Sequence, residues 1–160
     1  MAYHQIKDIL EAIRKFHRKI RRELEQAYPD TDDPRSRYLL RSFRRSEQEM
    51  DLALGQYEKD GTPPVLETWI QYDNSDDIDE VLRSGKLPPH SSPEEVLDWK
   101  QKFDASLAEH YRHLAREVSA ARAQELFESL ATMIEQRLMD QSWQAREEEL
   151  APKDDGGSPH

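Results

Sequence analysis

The chain has 160 residues, enough for one domain, with 36% hydrophobic and 35% charged residues and a net charge of −10. It contains no cysteine, which excludes disulfides, thiol nucleophiles and cysteine-ligated metals. The overall acidity argues against non-specific nucleic-acid binding, which needs a basic face to displace counterions.

The first predicted helix runs from about residue 3 to 28, because Ile6, Ile9, Ile13, Phe16, Ile20, Leu24 and Ala27 recur at steps of three and four. Its N-terminal MAYHQIKDIL has no long apolar run, and no stretch approaches the ~18 apolar residues of a membrane span. A cytoplasmic protein without a membrane segment is therefore the expectation. The helix carries a basic run, Arg14, Lys15, Arg18, Lys19, Arg21 and Arg22. Residues 1–48 hold 12 Lys/Arg against 8 Asp/Glu, a balance of +4, whereas the rest of the chain stands at −14. The run is a solvated helix face or a surface for an acidic partner.

Pro29 and the polar segment PDTDD stop the first helix, and Asp33 followed by Pro34 is a start signal for a second. This helix extends to about residue 59, with Leu39, Phe43, Met50, Leu54 and Tyr57 on one face. Residues 60–92 have a different composition, with Pro63, Pro64, Pro88 and Pro89. VLETWIQY and DDIDEVLRSG are candidate short helices there. A connection this long fits a crossover between two helical hairpins. Trp69, Ile70 and Tyr72 are its most apolar residues, either covering one end of the fold or forming a contact patch.

Ser92-Pro93-Glu94-Glu95 is a capping box that opens a third helix, with Val96, Trp99, Phe103, Leu107, Tyr111, Leu114 and Val118 inward. A fourth follows over about 120–148, with Leu126, Phe127, Leu130, Ile134, Leu138 and Trp143 on its inner side. No Gly or Pro marks the join near Ser119, so one continuous helix is the alternative. Residues 1–150 form a single domain in this reading, and 151–160 a disordered tail. On the third helix, His110 and His113 with Glu109 and Glu117 have spacings suited to one zinc ion or to surface ion pairs.

The two hairpins read as diverged copies. YLLRSFRRSEQEM (38–50) aligns with LFESLATMIEQRL (126–138), matching Glu47-Gln48 with Glu135-Gln136. AEHYRHLA followed by ELFESLATMIEQ resembles the rubrerythrin-like branch of the ferritin-like superfamily. That resemblance implies an all-α fold: a ferritin-like four-helix bundle of two helical hairpins joined by a long crossover. It also implies a di-metal centre with one Glu from each of two helices and a Glu-x-x-His from each of the others. The aligned positions are Leu10, Glu47, Met50, Asp104, Glu135 and Leu138, so three carboxylates remain and both histidines are gone.

The leading expectation is thus a non-enzymatic interaction or scaffold protein on a ferritin-like bundle that has lost its metals. It would need no cofactor and would have a protein partner, with a homodimer as one form. Candidate binding residues are Arg14, Arg18, Arg21, Arg22, Trp69, Ile70 and Tyr72. The first alternative is a metal-dependent oxidoreductase or iron-handling protein using Glu47, Asp104 and Glu135. The second is an anion- or nucleic-acid-binding module that adds Arg41, Arg44 and Arg45 to the basic run.

Overall fold

The computed structural model describes residues 2–72 and 86–150, and side chains within 3–70 and 86–143. The protein is mostly helical. In chain order its elements are β1 (Ala2–Gln5), α1 (Ile6–Ala27), α2 (Pro34–Asp60), α3 (Pro63–Leu66), β2 (Trp69–Tyr72), α4 (Pro93–Glu117) and α5 (Ala121–Leu150). The expected segment DDIDEVLRSG and the tail at 151–160 lie outside the described residues.

The start signals work as their chemistry dictates. The Asp33 carboxylate accepts from the Arg35 N–H at 2.8 Å, and Pro34 occupies the first turn of α2. At α4 the box is reciprocal: Ser92 Oγ accepts from Glu95 N at 3.2 Å and Glu95 Oε1 from Ser92 N at 3.3 Å. Val118 adopts an extended backbone with ψ of 139°, which separates α4 from α5 and rules out a continuous helix.

Two expectations in the connecting regions are corrected. The first helix begins at Ile6 rather than residue 3, because residues 2–5 form a strand. VLETWIQY is a one-turn helix and a strand, not a single helix. The two strands pair antiparallel with Tyr3 opposite Gln71 and Gln5 opposite Trp69, and Ile6 N donates to Thr68 O at 3.1 Å. The partners are more than sixty residues apart, so local periodicity carries no trace of the ladder. Residues directly opposite share a face. Ile70 turns inward and is 5% exposed, while Tyr3 and Trp69 project outward together at 64% and 61%.

Chain directions follow from the contacts. Arg14 meets Asp51 and Glu58 while Glu25 meets Arg44, so α1 and α2 run antiparallel. Asp104 meets Gln141 and Arg112 meets Glu135, so α4 and α5 do too. Ser36 donates to Ser91 O at 2.9 Å near one end, and Lys100 meets Glu47 further along. Helices α2 and α4 are therefore parallel. All four long helices share one core, which includes Phe43, Leu107, Tyr111, Leu130 and Ile134.

Candidate functional site

On four amphipathic helices the inner stripe should be apolar. Here it is interrupted at one level by six polar groups. His17 comes from α1, Glu47 from α2, Lys100, Asp104 and Tyr111 from α4, and Gln141 from α5. Gln141 is 4% exposed and the other five 1% or less.

Lys100 is the centre of the group. Its ammonium donates at 2.7 Å to Glu47 Oε1 and lies 2.7 Å from each Asp104 oxygen. Lys100 and Asp104 are one turn apart on the same helix, so the contact that joins the hairpins is the one to Glu47. The other Glu47 oxygen is hydrogen-bonded to His17 Nδ1, and His17 Nε2 lies 3.4 Å from the Tyr111 hydroxyl. With Glu47 ionised, Nδ1 carries the shared proton and donates it. Gln141 Nε2 donates to Asp104 Oδ2 at 2.8 Å, while its Oε1 is buried without a partner.

Aromatic rings close the sides. The ammonium lies 5.6 Å from the Phe43 ring centroid and 6.0 Å from that of Phe103, within cation–π range. Phe103 also meets the His17 ring edge-on at 6.3 Å. Burial alone would raise the Glu47 pKa, but the Lys100 ammonium and then His17 outweigh it and hold it at about 2. Burial likewise pulls Lys100 down, and the two carboxylates overcome it, raising its pKa above the usual lysine value.

The structure brings together two of the three aligned carboxylates, Glu47 and Asp104. Leu10 and Met50 are also fully buried. Glu135, the third, is on the outside. Its side chain is 46% exposed and forms a two-point pair with Arg112 at 2.9 and 3.1 Å. The phase of α5 explains the correction: Phe127, Leu130, Ala131 and Ile134 face inward, followed by half-buried Leu138 packed against the core and then buried Gln141. Trp143, expected inside, is 59% exposed. Among the described residues no three His, Asp or Glu side chains converge as a metal site would require. His113 and Glu117 stand 4.0 Å apart on an exposed face.

The basic run is largely engaged within the fold. Arg14 donates to Asp51 at 2.8 Å and Glu58 at 2.9 Å, lying over Gly55, where an added Cβ would come within 3.3 Å of the guanidinium. Arg18 also reaches Asp51 at 3.4 Å, and Arg21 and Arg44 both pair with Glu25. Burial opposes ionisation of Asp51, but the two arginines win and lower its pKa. Arg41 lies over the Tyr28 ring, and Arg22 and Arg45 are exposed. Of the crossover candidates, Trp69 is on the surface, Ile70 is in the core, and the Tyr72 side chain is outside the described residues.

Sequence reasoning missed Lys100, Gln141 and Tyr3. Lys100 had a signal: Val96, Lys100 and Asp104 lie four apart along the stripe that holds Phe103 and Leu107. Trp99 competes for the same place, and the larger apolar residue is the natural choice from sequence.

Comparison of the chain with protein-family models, with curated proteins and with solved structures gave no match. No described helix is long and apolar enough to cross a membrane.

Proposed function

We propose that this chain is a non-enzymatic interaction or scaffold protein on a ferritin-like four-helix bundle, in which an internal ion network stands where such bundles hold two metals. The observation that carries this reading is the Lys100 ammonium seated between Glu47 and Asp104, carboxylates aligned with the family's ligand positions. Two further features support it. One long crossover with α2 and α4 parallel suits that fold. The polar groups of the centre are buried and, Gln141 Oε1 apart, bonded to one another. The oxidoreductase alternative is weakened by the outward position of Glu135, and the anion-binding alternative by the carboxylates on Arg14, Arg18 and Arg21.

The surface best suited to a protein partner is the outward pair Tyr3 and Trp69. Aromatic side chains bury a large area at low entropic cost, as contact hot spots do. Replacing both by Ser should leave the melting temperature within about 2 °C of the parent. It should abolish self-association or partner retention in sedimentation velocity. No change in association, or about two metal ions per chain by elemental analysis of the unmodified protein, overturns the proposal.

A further inference from the structure

The seam between α2 and α5 is closed at one end and open at the other. Near its closed end Arg137 donates to the Ser46 carbonyl at 2.8 Å. Toward the C-terminal end of α2 it leaves a depression of about 510 Å³, walled by residues between Tyr57 and Leu66 on one side and by the first turns of α5 on the other. Gly61 shapes the first wall. A Cβ there would come within 2.8 Å of the Leu66 side chain and of the Tyr57 carbonyl, so any larger residue would push α3 away. A second depression of about 500 Å³ continues along α5 to Met133 and shares Glu125 and Ser129 with the first. Together they form one open trough, whose α5 wall from Arg122 to Met133 is about 16 Å long.

The lining is apolar at the floor and acidic at the rim. Tyr57, Val65, Leu66, Leu126 and Met133 pack against the core but are only partly buried, so apolar area faces the opening. Along the rim stand Asp60, Glu125 and Glu128, against the single guanidinium of Arg122. Elsewhere carboxylates meet arginines, as Asp51, Glu25 and Glu135 do. Asp60 instead accepts from the Gln56 amide at 2.7 Å, and among the described residues Glu125 has no ion pair. A small ligand is enclosed by its site, whereas an open trough of this length suits a segment of chain.

We infer that this trough is a docking groove for a basic amphipathic helix of a protein partner. The inference rests on reading the chain as an interaction protein, but the lining includes neither Tyr3 nor Trp69. About three turns of such a helix match the length of the trough, with apolar anchors at steps of three and four against Leu66, Leu126 and Met133. Its lysines or arginines meet Glu125 and Glu128, and the same carboxylates repel an acidic competitor. A second copy of this chain, with a net charge of −10, is the poorer match for this groove.

The test uses the full-length protein and two synthetic helices of about fourteen residues, one of leucine and lysine and one of leucine and glutamate at the same spacing. Fluorescence anisotropy should show saturable binding of the leucine–lysine helix, with the leucine–glutamate helix at least about tenfold weaker. Glu125→Arg and Leu126→Gln should each weaken the first complex by about tenfold or more. Glu109→Arg makes the same charge reversal at an exposed site on α4 outside the trough, and should change the affinity by less than about twofold. Should Leu126→Gln fail to fold by circular dichroism, Glu125→Arg decides alone, since that side chain is exposed. Glu109→Arg acting as strongly as Glu125→Arg overturns the inference, because the helix then reads general acidity. Unchanged affinity in both trough variants overturns it too, as does a dimer of the unmodified protein that Leu126→Gln converts to monomer in sedimentation velocity. Replacing Tyr3 and Trp69 by Ser should leave this affinity unchanged, so failure of the groove and failure of the outward aromatic pair are read separately. A loss of affinity in that double variant places the helix on the sheet and overturns the inference.

Discussion

Lys100→Met is the substitution with the most to say about the ion network. Methionine nearly matches the lysine stem, so packing against Phe43 and Phe103 is kept while the charge is lost. Glu47 and Asp104, 1% and 0% exposed, are then buried without their cation. Removing one partner of a buried pair costs about 3–5 kcal/mol, a large part of the ~5–15 kcal/mol that holds a domain folded. In the unmodified protein the folded-state pKa of Glu47 lies at about 2, below its ordinary 4.5. A depressed carboxylate contributes stability that is present above 4.5 and lost as pH falls toward 2, about 3 kcal/mol for this shift. Without Lys100 the largest influence that lowers the Glu47 pKa is gone and burial is opposed by His17 alone, so Glu47 should hold a proton more readily when folded than when unfolded. Stability then rises as pH falls from about 7 to about 5, whereas the unmodified protein shows no such gain from this group. Urea titrations followed by circular dichroism across that range check the sign. Parallel curves, with a loss below about 1 kcal/mol, would refute the placement of Lys100 in a dry interior. Adding Glu47→Gln and Asp104→Asn to Lys100→Met should restore much of the lost stability, since no buried charge then lacks a partner.

Glu135→Ala should change stability by no more than about 0.5 kcal/mol, because its pair with Arg112 is exposed, whereas Glu47→Ala should cost several times as much. Equal losses in the two variants would return Glu135 to the interior. Leu130→Ala removes a fully buried side chain and should cost about 2–5 kcal/mol in denaturant titration. Ser92→Ala breaks the capping box of α4 and should cost about 1 kcal/mol; an unchanged urea midpoint would mean that the box carries no stability.

What was legible in the sequence divides along the range of the interactions. Helix starts at Asp33 and Ser92 are decided within four residues, and both were readable. The apolar stripes of α1 and α2 were equally plain, because Ile and Leu recur without competitors. Glu47, Asp104 and Glu135 were singled out together by the ferritin-like resemblance. The partner of the first two was not. Lys100 lies 53 positions from Glu47, and nothing in either helix alone says that an ammonium rather than a neighbouring tryptophan turns inward. The matched pairs Glu47-Gln48 and Glu135-Gln136 also misled, since identical letters occupy opposite faces when Ile134 takes the inward place. The β1–β2 ladder was invisible for the same reason as Lys100: its two halves meet only once the α1–α2 hairpin has brought residues 2–5 beside residues 69–72.

The contact between Lys100 and Glu47 also bears on how the two hairpins find their alignment. Leucine and phenylalanine stripes are tolerant of sliding, because one apolar side chain replaces another at similar depth. A displacement of α4 by one turn along α2 would carry the ammonium from Glu47 toward Phe43 or Met50, where no carboxylate waits. In the misaligned pair of hairpins the ammonium would keep Asp104, which moves with it on α4, but Glu47 would be left buried with only His17 beside it. The charge pair therefore acts as a vernier for assembly: the greasy surfaces bring the hairpins together, and a single ammonium selects one stop among several that hydrophobicity alone would leave nearly equal.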